Sequence, residues 1–171
     1  MEKGFRHEFK YLISTADAQL LKRRLPHIME RDPHAGAAGQ YTIRSLYFDD
    51  LANTAFYDKV DGVNYRAKYR IRFYNYDLSH IKLEKKEKLG QLTRKTAQTI
   101  TKQDARSLES GLLTDCTDTA GGLTEELRLQ IATQGLRPRV VVDYDRTPFI
   151  CRDGNTRITV CLLYTSPSPR D

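Results

Sequence analysis

Hydrophobic and polar positions alternate with a period of two along much of the chain, which is the pattern of half-buried β-strands. The stretches that alternate in this way are bounded by residues typical of turns, such as Asn75-Tyr76-Asp77 and Leu89-Gly90. Strands that follow one another across short turns pair as an antiparallel meander. The pattern predicts strands at Phe5–Ile13, Tyr41–Asp49, Asn64–Tyr74, His80–Lys88, Leu92–Ile100, Arg139–Thr147 and Thr156–Leu163.

Helix signals fall between these strands. Ser14 followed by Asp17 is an N-cap signature, and Thr101 followed by Asp104 is a second one. Pro26 is expected to end or kink the first helix, because proline lacks an amide donor. The predicted helices run from Ser14 to Pro26, Asn53 to Lys59, Thr101 to Ser110 and Thr124 to Gln134, and loops are predicted at Arg31–Gly39 and Asp115–Gly122.

The strand predicted from Asn64 has one wholly basic face, since its even positions are Arg66, Lys68, Arg70 and Arg72. Its odd positions are apolar or aromatic. Neighbouring strands repeat the basic theme around a single carboxylate, with Lys82, Lys86 and Lys88 near Glu84 and with Arg6 and Lys10 near Glu8. Pairing such strands places like charges about 5 Å apart, which opposes folding unless water or a multivalent anion neutralises them.

Charge is concentrated in the same region. The chain of 171 residues carries a net charge of +6, and residues 64–95 hold ten Lys and Arg side chains against three Asp and Glu. Such concentration favours a polyanionic partner: a phosphate chain, a nucleic acid or a membrane surface. Arginine predominates on the basic face, and its planar fork suits bidentate phosphate binding. Nucleic acid is the weaker candidate, because the interleaved aromatic residues Tyr65, Tyr69 and Phe73 lie on the opposite face and cannot stack bases beside the basic row.

Several other classes of function are disfavoured. The sequence has no glycine-rich phosphate loop and no serine nucleophile motif, and no histidine has a partner at metal-ligand spacing.

Glu8 and Glu84 lie among cations, where each is either a ligand for a divalent metal that bridges phosphates or an electrostatic partner of its neighbours. A half-exposed sheet with solvated Lys and Arg is the alternative interpretation of the basic face.

The length of the chain fits one domain. Because the sequence has no long apolar run and no signal peptide, we expect a cytoplasmic chain.

Five separated blocks resemble one family. The chain is similar to the bacterial VTC-domain (vacuolar transporter chaperone) polyphosphate polymerases of the triphosphate tunnel metalloenzyme, or CYTH, superfamily, over about Phe5 to Val160. The blocks are Arg6–Tyr11, Ile43–Asp50, Arg70–Tyr74, Ile81–Lys86 and Val142–Arg146. The resemblance implies an α+β fold in which an antiparallel β-barrel, the triphosphate tunnel, has helices packed outside. It also implies ATP-dependent synthesis of inorganic polyphosphate with Mn²⁺ or Mg²⁺.

The resemblance assigns roles to most of the basic positions, and the face derived above already contains Arg70 and Arg72. The catalytic candidates are Arg70, Arg72, Lys86 and Arg146. The substrate-binding candidates are Arg6, Lys10, Lys82, Lys95, Tyr144 and Arg157, and the metal candidates are Glu8 and Glu84.

Two departures from the family pattern bear on function. The triphosphatase branch usually has glutamate where this chain has Arg6, which favours synthesis over hydrolysis. Hydrolysis of triphosphate or a nucleoside triphosphate, and polyanion binding without chemistry, remain alternatives. After Val160 the family continues with strands that carry a metal-binding glutamate and further lysines, whereas this chain ends in a Ser-Pro repeat. We therefore expect a partial tunnel domain at 1–163, a tail at 164–171 that looks non-native, and a barrel that is incomplete at its C-terminus.

Overall fold

Seven strands form one antiparallel sheet in the computed structural model, which describes residues 8–111, 122–153 and 156–165. The sheet order is β7-β6-β2-β3-β4-β5, and the short β1 pairs with β6 beside Phe149 and Ile150. The sheet curls into a half-barrel with β5 and β7 at its edges. The strands are β1 Glu30–Arg31, β2 Tyr41–Asp49, β3 Tyr65–Tyr74, β4 Asp77–Leu89, β5 Leu92–Ile100, β6 Arg137–Cys151 and β7 Thr156–Thr165.

Four α-helices in the described residues begin where the sequence signals indicate. The Ser14 hydroxyl caps the first helix by accepting from the Asp17 amide, and Thr101 and Asp104 form a reciprocal capping box on the third. The first helix ends before Pro26, where a 3₁₀ turn replaces it. The helices are α1 Thr15–Arg24, α2 Thr54–Val60, α3 Lys102–Ser110 and α4 Leu123–Gln134.

The helices and the apolar core lie on one face of the sheet. Leu83 and Ile71 pack there against Leu108 of α3 and Leu127 of α4. A second cluster under α1 joins Leu25, Phe149 and Val160. Because successive side chains of a strand point to opposite faces, the even-numbered side chains of β3 and β4 face away from these helices into the hollow of the half-barrel. The hollow, which we call the cleft, is the face that the sequence predicted to be basic.

The strand predicted over Phe5–Ile13 is wrong for the residues that the structure describes. Residues 8–14 have no regular secondary structure, and Phe9, Tyr11 and Leu12 are exposed. A period-two pattern indicates a strand only where a neighbouring strand completes its hydrogen bonds, and no described strand pairs with this segment. Residues 5–7 lie outside the described residues.

Three smaller differences concern loops and the tail. The predicted loop at Arg31–Gly39 begins with the last residue of β1 and contains the 3₁₀ turn Pro33–Ala35. Of the loop predicted at Asp115–Gly122, only its last residue lies within the described part of the chain. Strand β7 continues to Thr165, which pairs with Val142, so the strand runs two residues past its predicted end. None of the helices in the described ranges is long and apolar enough to cross a membrane.

Candidate functional site: a basic cleft around Glu84

Strand register brings the charged positions of the cleft together. In the β3–β4 ladder Arg70 lies opposite Glu84 and Arg72 opposite Lys82, while β2 places Tyr47 opposite Arg70 and Ser45 opposite Arg72. Residues directly opposite each other in an antiparallel pair have Cβ atoms about 5 Å apart. The ladder therefore fixes which side chains meet, and a buried carboxylate ends up among cations.

Glu84 is the centre of the cleft and is 0% exposed. Its Oε2 atom accepts a hydrogen bond of 2.7 Å from Arg70 Nε and lies 2.6 Å from Arg70 Nη2. The same oxygen lies 3.5 Å from Arg72 Nη1, and the Lys95 ammonium contacts Oε1. One carboxylate thus holds three cations from two neighbouring strands in a fixed arrangement.

Hydroxyl groups hold the other ends of the two arginines. Arg70 Nη1 donates to the Tyr47 hydroxyl at 2.9 Å, and Arg72 Nη2 donates to the Tyr144 hydroxyl at 2.7 Å. Arg72 Nε also donates to Ser45 Oγ at 3.1 Å. Each guanidinium lies over the ring of its tyrosine, 5.7 Å from the centroid for Arg70 and 5.8 Å for Arg72. The two forks are therefore immobilised before any anion arrives.

The rim of the cleft carries a second set of charges. Lys86 Nζ lies 2.5 Å from Glu8 Oε2, and Lys10 Nζ lies 3.8 Å from the other Glu8 oxygen. Lys10 is largely exposed, whereas Lys86 and Lys95 are half-buried. The segment before α1, although it forms no strand, thus lies beside β4 and contributes charge to the cleft.

The cations control the ionisation of these groups. Burial alone would raise the pKa of Glu84, but the charges of Arg70, Arg72 and Lys95 outweigh it and lower the pKa to about 2. Burial lowers the pKa of both Lys86 and Lys95. The contacts with Glu8 and Glu84 oppose this effect, and nearby cations add to it. Burial would also raise the pKa of Tyr47, but Arg70 holds it below its ordinary value. The electrostatic potential of the cleft therefore stabilises groups that carry negative charge.

The structure brings most of the predicted site residues to this cleft. Tyr144 contacts Arg72, and Arg146 lies next to the Tyr41 hydroxyl group on the same face. Lys82 is exposed beside Tyr74. Arg157 pairs instead with the buried carboxylate of Asp32, at 3.3 Å, and Arg6 lies outside the described residues.

The predicted metal ligands are already paired. Glu84 binds Arg70, Arg72 and Lys95, and Glu8 contacts Lys86. Within the ranges that the structure describes, no three His, Cys, Asp or Glu side chains come together as metal ligands. A divalent cation next to Glu84 would be repelled by the surrounding positive charges. In this structure both carboxylates are therefore occupied by cations of the chain itself.

Sequence reasoning missed Tyr47 and Ser45 as parts of the site. Both alternate with Tyr41 along β2, so a common face could have been read from the sequence. Their partners could not, because these depend on how β2 pairs with β3. Ser45 is completely buried, and its hydroxyl group accepts a hydrogen bond from Arg72 Nε, a buried donor for which no other partner is seen among the described residues.

Comparisons with known proteins agree with this geometry. The family model described as the VTC domain matches residues 5–160. A protein described as a candidate adenylate cyclase from Bacillus halodurans superposes with a TM-score of 0.62 at 22% identity, covering 97% of this chain and 75% of its own.

A second solved structure has the same fold. It is a candidate adenylyl cyclase from Hippeastrum, described as having a dominant triphosphatase activity, with a TM-score of 0.52 at 14% identity. The match covers 90% of this chain and 70% of that one. No curated protein matches the sequence. At these identities the two structures show a shared fold, a curled antiparallel sheet with helices on one face.

Proposed function

We propose, from the premise that this chain belongs to the VTC domain family, that it transfers the γ-phosphoryl group of ATP to the end of an inorganic polyphosphate chain bound in the cleft. One observation carries the proposal. Arg70 and Arg72 lie on one face of β3 and are both fixed on the Glu84 carboxylate. Two oriented guanidinium forks among lysines form a binding surface for adjacent phosphates.

The reaction that fits this surface needs positioning and charge neutralisation. A terminal oxygen of the polyphosphate chain attacks the γ-phosphorus, the bond from that phosphorus to the β–γ bridging oxygen breaks, and ADP leaves. Negative charge on the transferred group is stabilised by fixed cations, and no covalent protein intermediate is required. We assign this role to Arg70 and Arg72, supported by Lys86 and Arg146.

The remaining groups bind the phosphates or hold the two arginines in position. Lys10, Lys82 and Lys95 supply further positive charge for the phosphates on either side of the transferred group. Tyr144 and Ser45 hold Arg72 in place, as Tyr47 holds Arg70. We propose that the Mn²⁺ or Mg²⁺ complex of ATP is the substrate, since the carboxylates of Glu8 and Glu84 are paired with cations of the chain. We place the activity in the cytoplasm, where ATP is available.

Hydrolysis is the second candidate. A water molecule in place of the chain end would turn the same cleft into a triphosphatase, the activity described for the Hippeastrum protein of this fold. Binding of polyphosphate without chemistry is a third possibility, which the basic cleft would also support.

Product analysis separates these candidates. The protein is incubated with ATP and Mn²⁺, long polyphosphate is detected on gels, and ADP and free phosphate are quantified. Polymer with an equivalent amount of ADP supports the proposal. Free phosphate without polymer assigns hydrolysis, and tight tripolyphosphate binding without turnover assigns a binding module. Arg72→Ala should abolish turnover, whereas Arg106→Ala, an exposed arginine on α3, should leave it unchanged.

A further inference from the structure

The two ends of the cleft differ in chemistry. From the central pair Arg70 and Arg72, β3 continues in one direction to Tyr74 and in the other to Lys68 and Arg66. Each step of two residues moves about 6.6 Å along a strand. A bound chain that passes Arg70 and Arg72 therefore meets different side chains on its two sides.

Aromatic rings define the first end. Tyr41 of β2 and Tyr74 of β3 are half-buried, with centroids 5.6 Å apart and planes at 70°. A T-shaped pair leaves ring faces open, unlike a stacked pair. Lys82 Nζ lies 6.0 Å from the Tyr74 centroid, and Arg146 lies next to the Tyr41 hydroxyl. Aromatic faces beside cations suit a planar base that is linked to phosphate.

Cations outnumber carboxylates at the second end, where Glu8 contacts Lys86 and Asp49 acts on Lys68. Arg66 lies opposite Lys88, and Lys68 lies opposite Lys86. Among the described residues, no carboxylate lies within ion-pair distance of Arg66, Lys68 or Lys88. Burial lowers the pKa of Lys68; the charge of Asp49 opposes this shift, and the charges of Lys59 and Arg66 contribute to it. This end offers excess positive charge without an aromatic surface, which suits a phosphate chain and not a nucleoside.

We propose that the cleft has a fixed polarity, meaning that its two ends bind different parts of the substrates. Tyr41 and Tyr74 form the nucleobase subsite, and the phosphate chain extends past Arg70 towards Lys68 and Arg66. This inference rests on the function proposed above and adds the direction in which the two substrates lie. With the base at Tyr74, the triphosphate reaches Arg72 and Arg70 in turn, and its γ-phosphate faces the cationic end. The acceptor chain then approaches from the side of Arg66.

Ligands that contain or lack a base test the aromatic end. Binding of ATP and of tripolyphosphate is measured by calorimetry for the parent, for Tyr74→Leu and for Tyr57→Leu, the last being an exposed tyrosine on α2 that serves as a matched control. Because it has lost the stack between base and aromatic ring, the Tyr74→Leu variant should bind ATP about tenfold more weakly than the parent does. Tripolyphosphate binding should stay within about twofold of the parent, and Tyr57→Leu should change neither.

Chain length tests the cationic end. Arg66→Ala should weaken binding of polyphosphate of about a hundred phosphates and reduce the slope of its salt dependence by about one, while it changes tripolyphosphate binding less. Arg106→Ala is the matched control. Far-ultraviolet circular dichroism and thermal unfolding confirm that each variant is folded.

The outcomes distinguish this inference from the proposed function. Equal loss of ATP and tripolyphosphate in Tyr74→Leu, or no loss of either, overturns the polarity and leaves the phosphate cleft intact. Equal weakening of long and short phosphates in Arg66→Ala overturns it as well. If the parent protein fails to bind tripolyphosphate, both the proposed function and the polarity are wrong.

Discussion

Arg70 and Glu84 face each other across the β3–β4 ladder, and Arg70 Nη2 lies 2.6 Å from Glu84 Oε2. Burying a charged pair costs desolvation free energy, which is recovered only when further hydrogen bonds satisfy both groups. Here Tyr47 satisfies Arg70, and Lys95 contacts the second oxygen of Glu84. Glu84 thus supplies the negative charge that lets a cleft full of cations fold before a phosphate enters it.

Replacing this carboxylate should destabilise the empty protein. Glu84→Gln leaves Arg70, Arg72 and Lys95 without their common counter-charge, and losing one partner of a buried pair costs about 3 kcal/mol of unfolding free energy. Urea denaturation should show this loss. Glu109→Gln, an exposed carboxylate on α3, is the control and should be near neutral. A Glu84→Gln protein as stable as the parent would contradict the role assigned to Glu84.

Tripolyphosphate should restore part of that stability. A ligand that binds only the folded state raises the free energy of unfolding, and the increase grows with the logarithm of the ratio of ligand concentration to Kd. Because the anion supplies the missing negative charge, the increase in melting temperature should be larger for Glu84→Gln than for the parent at the same ligand concentration. A smaller increase would mean that Glu84 assists phosphate binding directly.

Acid should reveal the same ion pair. The pKa of Glu84 is lowered to about 2 in the folded protein, from an ordinary value of 4.5. A carboxyl group whose folded pKa is depressed contributes stability that is present above 4.5 and is lost as the pH falls towards 2. The difference in unfolding free energy between the parent and Glu84→Gln should therefore shrink by about 3 kcal/mol over that range. A difference that is independent of pH would refute the assignment.

The two arginines should dominate affinity for triphosphate. Arg70→Ala and Arg72→Ala should each weaken tripolyphosphate binding by about 1.5 to 3 kcal/mol, the range for a hydrogen bond to a charged group. Arg72→Lys should recover only part of the loss, because an ammonium group cannot replace a fork that binds Ser45 and Tyr144 at once. Calorimetry at low salt measures the effect. Parent-like affinity in both alanine variants would rule out this cleft as the site.

Local signals in the sequence were sufficient to predict most elements. Strands β2 and β5 have the predicted bounds, because period-two alternation and flanking turn residues are local properties. The Thr101–Asp104 capping box is equally local and marks the start of α3. The basic face of β3 also follows from alternation alone. Residues 8–13 show that alternation alone is not sufficient, since hydrophobic and polar residues alternate there and no described strand pairs with them.

Pairing between strands decides what the sequence could not predict. The sequence predicts that Glu84 lies among cations, but whether it binds a metal or an arginine depends on the residue opposite it. That residue is Arg70 because the β3–β4 ladder shifts register between Arg72 and Tyr74. The tight turn at Asn75–Tyr76, where both residues have positive φ, fixes only the pairing of Tyr74 with Asp77. A shift of one residue would turn the carboxylate to the other face. Tyr47 and Ser45 were missed for the same reason.

Lysine ionisation should make phosphate binding sensitive to alkaline pH. Burial lowers the pKa of both Lys86 and Lys95 from the ordinary value of 10.5, so part of each side chain loses its proton before an exposed lysine would. Only the protonated form attracts phosphate. Tripolyphosphate affinity should therefore fall as the pH rises towards 10, and binding in that range should take up protons, which calorimetry in buffers of different ionisation enthalpy detects.

Arginine substitutions isolate this effect, because a guanidinium stays charged throughout the range. The double variant Lys86→Arg with Lys95→Arg should keep its affinity to higher pH and take up fewer protons on binding. Lys102→Arg, an exposed residue at the start of α3, should behave as the parent does. Since Glu84 contacts Lys95, the double variant also tests whether that contact needs an ammonium group. If the parent and the double variant lose affinity over the same pH range, the titrating group lies elsewhere in the cleft, and Tyr47, whose pKa is also lowered, is the next residue to replace.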